Sequence, residues 1–127
     1  MRKTDKKTDN NIRQLLTQVC DYALKDIKGF VWLTHQVNYT RFPESLKVVC
    51  VFETHAALER FQATKQSEAL NNMIITKLLS ANITLKKPAQ SIIYDSQQLC
   101  DEQHHGNWAL RLSQIVSHWT FGHLISV

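Results

Sequence analysis

An α+β fold is what this chain predicts: α-β-β-α-β order, a three-stranded sheet covered by helices on one face, and a C-terminal helix. Three observations carry that prediction. Residues 12–27 repeat apolar side chains at three- and four-residue steps. Residues 30–52 hold two runs rich in β-branched and aromatic side chains around a proline break. A second helical stripe then separates that pair from a third extended run ending at Asp95. Helices and strands in this order pack as layers around one core.

The first stripe is Ile12, Leu15, Leu16, Val19, Ala23 and Ile27, with Thr8, Asp9 or Asn10 available as the N-cap. Lys25 and Lys28 suit the negative end of the helix dipole, and Gly29 is a natural stop. Residues 1–9 then form a polar leader. Phe30 to Tyr39 starts apolar on both faces and then alternates, with Val31, Leu33, Val37 and Tyr39 on one side. Arg41-Phe42-Pro43-Glu44-Ser45 breaks the run, because proline cannot donate to a ladder. Leu46 to Phe52 is the most apolar strand, and a short connection makes the two an antiparallel hairpin.

Thr54 is placed to cap a second helical region, with Leu58 and Phe61 in its first part. Leu70, Met73, Ile74 and Leu78 lie in its second, after a polar break at Thr64 to Glu68 where Ser67 restarts the helix. Asn82 is a plausible end. Ile83-Thr84-Leu85, a Lys-Lys-Pro turn and Ser91 to Asp95 supply the third extended region. Residues 96–106 are polar and loop-like. Asn107 can cap a last helix over 107–119, where Trp108, Leu112, Ile115 and Trp119 share a face. Residues 1–127 thus make a single domain with its α-β-β-α-β core at 10–97.

Composition bounds the function. The 127 residues are 43% hydrophobic and 20% charged, as in ordinary globular chains. A chain this long buries roughly two-thirds of its unfolded surface and needs no staples. No apolar stretch approaches the ~18 residues of a membrane span. The charged opening Met1 to Lys7 is not a secretory signal, and Cys20, Cys50 and Cys100 are too few and too scattered for a disulfide framework. A cytoplasmic protein with reduced thiols is expected.

No pattern demands a cofactor or a metal. Cys100, His104 and His105 are zinc-competent side chains, but Cys-x3-His-His supplies three ligands in a spacing that closes no standard site. Cys50 reads as a buried thiol between Val48 and Phe52, and Cys20 edges the first stripe. Glu53, Asp95, Asp101 and Glu102 are isolated carboxylates, and the three glycines stand apart from one another. The chain is therefore read as non-catalytic.

Charge is its most informative feature. The net charge of +4 is uneven: residues 88–127 hold one basic residue against three acidic ones, whereas 1–28 hold seven against four. Lys3, Lys6, Lys7 and Arg13 precede or open the first helix, while Lys77, Lys86 and Lys87 end the second and enter the third strand. Side by side, the two groups would form a cationic surface for phosphates. Trp32 and Phe30 would stack on unpaired bases if they stood on an open sheet face, although both would equally serve as packing beneath a helix. The apolar C-terminal run Trp108, Ile115, Val116, Trp119, Phe121, Leu124 and Ile125 gives the alternative, a protein-interaction or homodimer surface.

With SLKVVCVF as second strand and QSIIYDSQ as third, the order over residues 10–97 resembles the type II KH-like arrangement of the ribosome-binding factor A family. A broken second helix followed by a strand ending in an aromatic-Asp pair is echoed by Tyr94-Asp95. The resemblance implies contact with RNA or a ribonucleoprotein. The chain carries neither the Gly-x-x-Gly loop of KH proteins nor the Ala-x-Gly kink of that family. Through MRKTDKKTDNNIRQLL, WLTHQVNY and LCDEQHHGNWALRL it also resembles small bacterial proteins labelled Fis-family transcriptional regulators. That label implies a C-terminal DNA-reading helix, a region that here holds a single arginine, Arg111.

Overall fold

The computed structural model describes residues 2–115 and 125–126. In chain order these form α1 (Lys3–Asp26), β1 (Phe30–Gln36), a 3-10 turn (Tyr39–Arg41), β2 (Lys47–Phe52), α2 (His55–Gln62) and α3 (Gln66–Leu79). There follow a single-turn α4 (Pro88–Ser91), β3 (Ile92–Ser96), α5 (Gln97–His104), α6 (Trp108–Ile115) and a two-residue β4 (Ile125–Ser126). The α+β class is as the sequence predicts.

Helix α1 buries one stripe completely: Ile12, Leu16, Val19 and Ala23 have no exposure. It starts earlier than expected, so the leader at residues 3–9 is helical and not an extended tail. Asp5 in the first turn favours the positive dipole end and pairs with Arg2 at 3.2 Å. Asp9, one of the expected caps, instead continues the buried stripe. Its Oδ1 accepts hydrogen bonds from Tyr39 Oη at 2.7 Å and His35 Nε2 at 3.1 Å, and its exposure is only 5%. Gly29 stops the helix region with φ +87°, and a Cβ there would lie 2.6 Å from that of Ala57.

The sheet order is β3-β2-β1-β4. Strands β1 and β2 form the expected antiparallel hairpin, and β3 joins β2 in parallel with Val48 opposite Ile92 and Cys50 opposite Tyr94. A parallel pairing needs a long crossover, which α2 and α3 supply. Strand β4 pairs with the other edge of β1, at Thr34 and His35. An irregularity between Phe30 and Trp32 leaves Val31 36% exposed, off the face it was expected to share with Leu33.

Each face of the sheet has its own cover. Leu33, Val48, Cys50, Phe52 and Ile92 meet α1, α2 and α3 in the main core. On the other face Val49 and Val51 pack with Leu112 of α6, flanked by half-buried Trp32, Ile93 and Trp108. The expectation that this second face stays open is corrected: α6 lies across it. Residues 97–104 are also helical where a loop was expected. Ser96 Oγ caps that helix by accepting from Leu99 N at 3.1 Å, and Cys100 alone is buried, too few apolar positions to leave a periodic signal. The third strand is shorter than expected, because residues 83–85 do not join the sheet and Ile83 and Leu85 pack inward instead.

The Thr54 and Asn107 caps form as read, accepting from Ala57 N at 3.1 Å and Leu110 N at 3.0 Å. Of the last helix expected over 107–119, residues 116–119 lie outside the described residues.

Candidate anion-binding cleft

One end of the sheet gathers positive charge. There β1 finishes, β2 begins opposite it at Lys47, and β3 begins beside β2 at Ile92. A cleft of about 330 Å3 opens at this end, lined by Arg41, Lys47, Lys86 and Lys87 with Glu44 as its single carboxylate. Four cations against one anion make the cleft attractive to phosphate.

Two rigid corners place those cations. The first is the turn after β1, where Asn38 Oδ1 accepts from Thr40 N at 3.0 Å and Ser45 Oγ donates to Asn38 O at 2.7 Å. Ser45 N returns to Arg41 O at 2.8 Å, so Arg41 sits on a turn closed by its own hydrogen bonds. The second corner follows α3. Asn82 adopts the left-handed conformation, φ 61°, and Ile83 N bonds Leu78 O at 3.0 Å. Ile83 and Leu85 then point inward at 4% and 7% exposure, which turns Thr84 and Lys86 outward. Lys87 precedes Pro88, the first residue of α4, where a missing N–H costs nothing.

Lys47 joins the two corners. Its Nζ donates to Gln90 O at 3.0 Å, and burial lowers its pKa from the ordinary lysine value. A bound anion would relieve that burial penalty. Ser91, Leu85 and half-buried Lys47 form the inner wall, and exposed Arg41, Lys86 and Lys87 form the rim.

Of the sequence-derived candidates, Lys86 and Lys87 line this cleft. Lys3, Lys6, Lys7 and Arg13 do not line it; they are exposed on α1, whose first half is tied to the same end of the sheet through Asp9 and Tyr39. Lys77 donates to Gln18 Oε1 at 2.7 Å along the α1–α3 seam and is likewise no part of the lining. Trp32 is corrected as a base-stacking platform. It packs edge-to-face on Trp108, centroids 4.8 Å apart, beneath the helix that covers its face. Phe30 is buried against Phe52. Arg41 and Lys47 were missed. A lysine opening the most apolar strand was the one available signal for Lys47.

The other constellations resolve into structure. Asp95 and Arg111 form a buried two-pronged pair, Nε–Oδ2 2.6 Å and Nη2–Oδ1 2.8 Å, at 5% and 9% exposure. Those bonds, chiefly, raise the Arg111 pKa. Its Nη1 also donates to Gln103 Oε1 at 2.8 Å and His104 Nδ1 at 3.1 Å, while His104 Nε2 faces Gln114 Oε1 at 3.0 Å. Both His104 nitrogens are thus engaged. Cys100 is fully buried, and burial raises its pKa, as it does for Cys50 and Cys20. Among the described residues no group of three His, Cys, Asp or Glu could hold a metal ion. No helix among them is long and apolar enough to cross a membrane.

No protein-family model matches the chain, and neither a curated protein nor a solved structure matches it.

Proposed function

We propose that this protein is a non-catalytic cytoplasmic module that contacts RNA, free or within a ribonucleoprotein, through the basic end of its sheet. The observation that carries the proposal is the convergence of Arg41, Lys47, Lys86 and Lys87 on one cleft. The KH-like element order points to the same class of ligand. With Trp32 engaged by Trp108, base stacking on the sheet has no role, so binding rests on phosphates and is weakly sequence-dependent.

Anisotropy of a labelled single-stranded RNA across a salt series tests this. Each phosphate contact contributes about −0.7 to the log–log slope, and Lys86→Gln flattens it. An affinity indifferent to salt would sink the proposal. The alternative is a protein-interaction or homodimer surface in the apolar C-terminal segment, of which Trp108 and Leu112 pack on the chain's own sheet.

A further inference from the structure

We infer that the Arg41–Lys47–Lys86–Lys87 cleft is a pocket for a terminal phosphate, a phosphate monoester carried by a nucleotide, and not a track for continuous phosphodiester backbone. The inference rests on the RNA reading of the same site and narrows it to the end of a strand or a single nucleotide.

Size is the first reason. About 330 Å3 is at the small end of the ~300–1,000 Å3 typical of small-molecule pockets, room for one nucleotide. Shape is the second. The lining comes from separate segments, the turn bearing Arg41 and Pro43, the start of β2, residues 84–87 and α4. The inner wall holds Ser91 at 6% exposure and Leu85 at 7%, with the Lys47 stem between the two corners. Cations supplied by separate segments of a recess suit a group with three free oxygens. A backbone phosphodiester, with two free oxygens and a chain leaving on both sides, suits an open groove.

Charge is the third reason. A phosphate monoester carries about −1.5 to −2 near neutral pH, whereas a phosphodiester carries one charge. A cleft with four cations and one carboxylate, Glu44, is matched to the higher charge. The apolar surfaces of Pro43 and Leu85 complete a recess that accepts a ribose or base edge behind the phosphoryl group. A second, smaller cleft of about 250 Å3, lined by Lys28, Arg60 and Gln66 among others, lies toward the other end of β1 and serves as an internal control.

The test uses the full chain and one short RNA sequence in three forms, with a 5′-phosphate, with a 3′-phosphate and with hydroxyls at both ends, alongside the free 5′-mononucleotide as competitor. The expected result is that one phosphorylated form binds about tenfold to hundredfold tighter than the hydroxyl form. Arg41→Gln, an exposed position that leaves the core intact, should erase the preference, and Lys47→Met should do the same. Lys28→Gln should leave it unchanged. Equal affinity for all three RNAs, with a normal salt slope, overturns the inference and leaves the RNA proposal standing. Direct binding of the mononucleotide, read by calorimetry, with no RNA binding supports the pocket, assigns it a free nucleotide and ends the RNA proposal. Absence of binding by every probe ends both.

Discussion

The two faces of the sheet are held in different ways. On the first, α1, α2 and α3 bury a continuous apolar core in which Ile12, Leu16, Leu33, Phe52, Leu70, Ile74 and Leu78 have no exposure. The Asp9–Tyr39–His35 link sits at the margin of that core as an addition to it. Among the described residues the apolar contact on the second face is made by a few side chains around Leu112, with the buried Asp95–Arg111 pair adding directional bonds there. A large apolar cover is fixed by area, at roughly 25 cal/mol per Å2. A small one needs directional bonds to hold a single position. The first face therefore determines whether the chain folds, and the second whether α6 stays on.

The largest expected effect separates the two directly. Leu16→Ala should cost about 2–5 kcal/mol of global stability in denaturant unfolding, the usual range for a buried leucine. Leu112→Ala, equally buried, should lower global stability less and act mainly through loss of amide protection in α6. Equal global losses would make the sheet and α6 one cooperative unit and remove the contrast.

Comparable in size is Asp95→Asn. Removing one partner of a buried pair costs about 3–5 kcal/mol, because the other charge is left uncompensated. Here the loss should fall on α6, opening the His105–Asn107 connection to protease while the hairpin amides stay protected. Retained protection of α6 in that variant would show that Trp32, Trp108 and Leu112 suffice without the charge.

The smallest effect is alkaline. Burial holds the Tyr94 phenol above its ordinary pKa of 10.0, and burial with the Asp9 hydrogen bond does the same for Tyr39. Both lie on the first face. In the unfolded chain these phenols ionise near pH 10; in the folded chain they stay neutral. Stability is therefore fully present below about pH 10 and falls as pH rises beyond it. A thermal-melt series should show that decline, and Tyr94→Phe should flatten it. An unchanged slope would place the sensitivity elsewhere.

Legibility in the sequence tracked periodicity. Helix α1, the β1–β2 hairpin and the Thr54 and Asn107 caps were readable because local spacing and chemistry specify them. Helix α5 was not, since one buried cysteine among polar neighbours has no period. The start of α1 was misplaced because Asp9 has the chemistry of a cap, and only the approach of His35 and Tyr39 makes it a buried anchor. Of the cleft, Lys86 and Lys87 were legible as a basic pair, while Arg41 and Lys47 stood alone in the sequence.

By itself, then, the sequence determined the class of fold, the order of its strongly periodic elements and the excess of positive charge in its early and middle segments, because apolar spacing and turn chemistry act over a few residues. Tertiary structure alone decided which cations meet and what covers the second face. The parallel pairing of β3 with β2 brings residues 84–91 beside Arg41 and Lys47, and the Asp95–Arg111 bond seats α6 over Trp32. Charges separated along the chain have no local signal, and they acquire a common position only when distant strands close into one sheet.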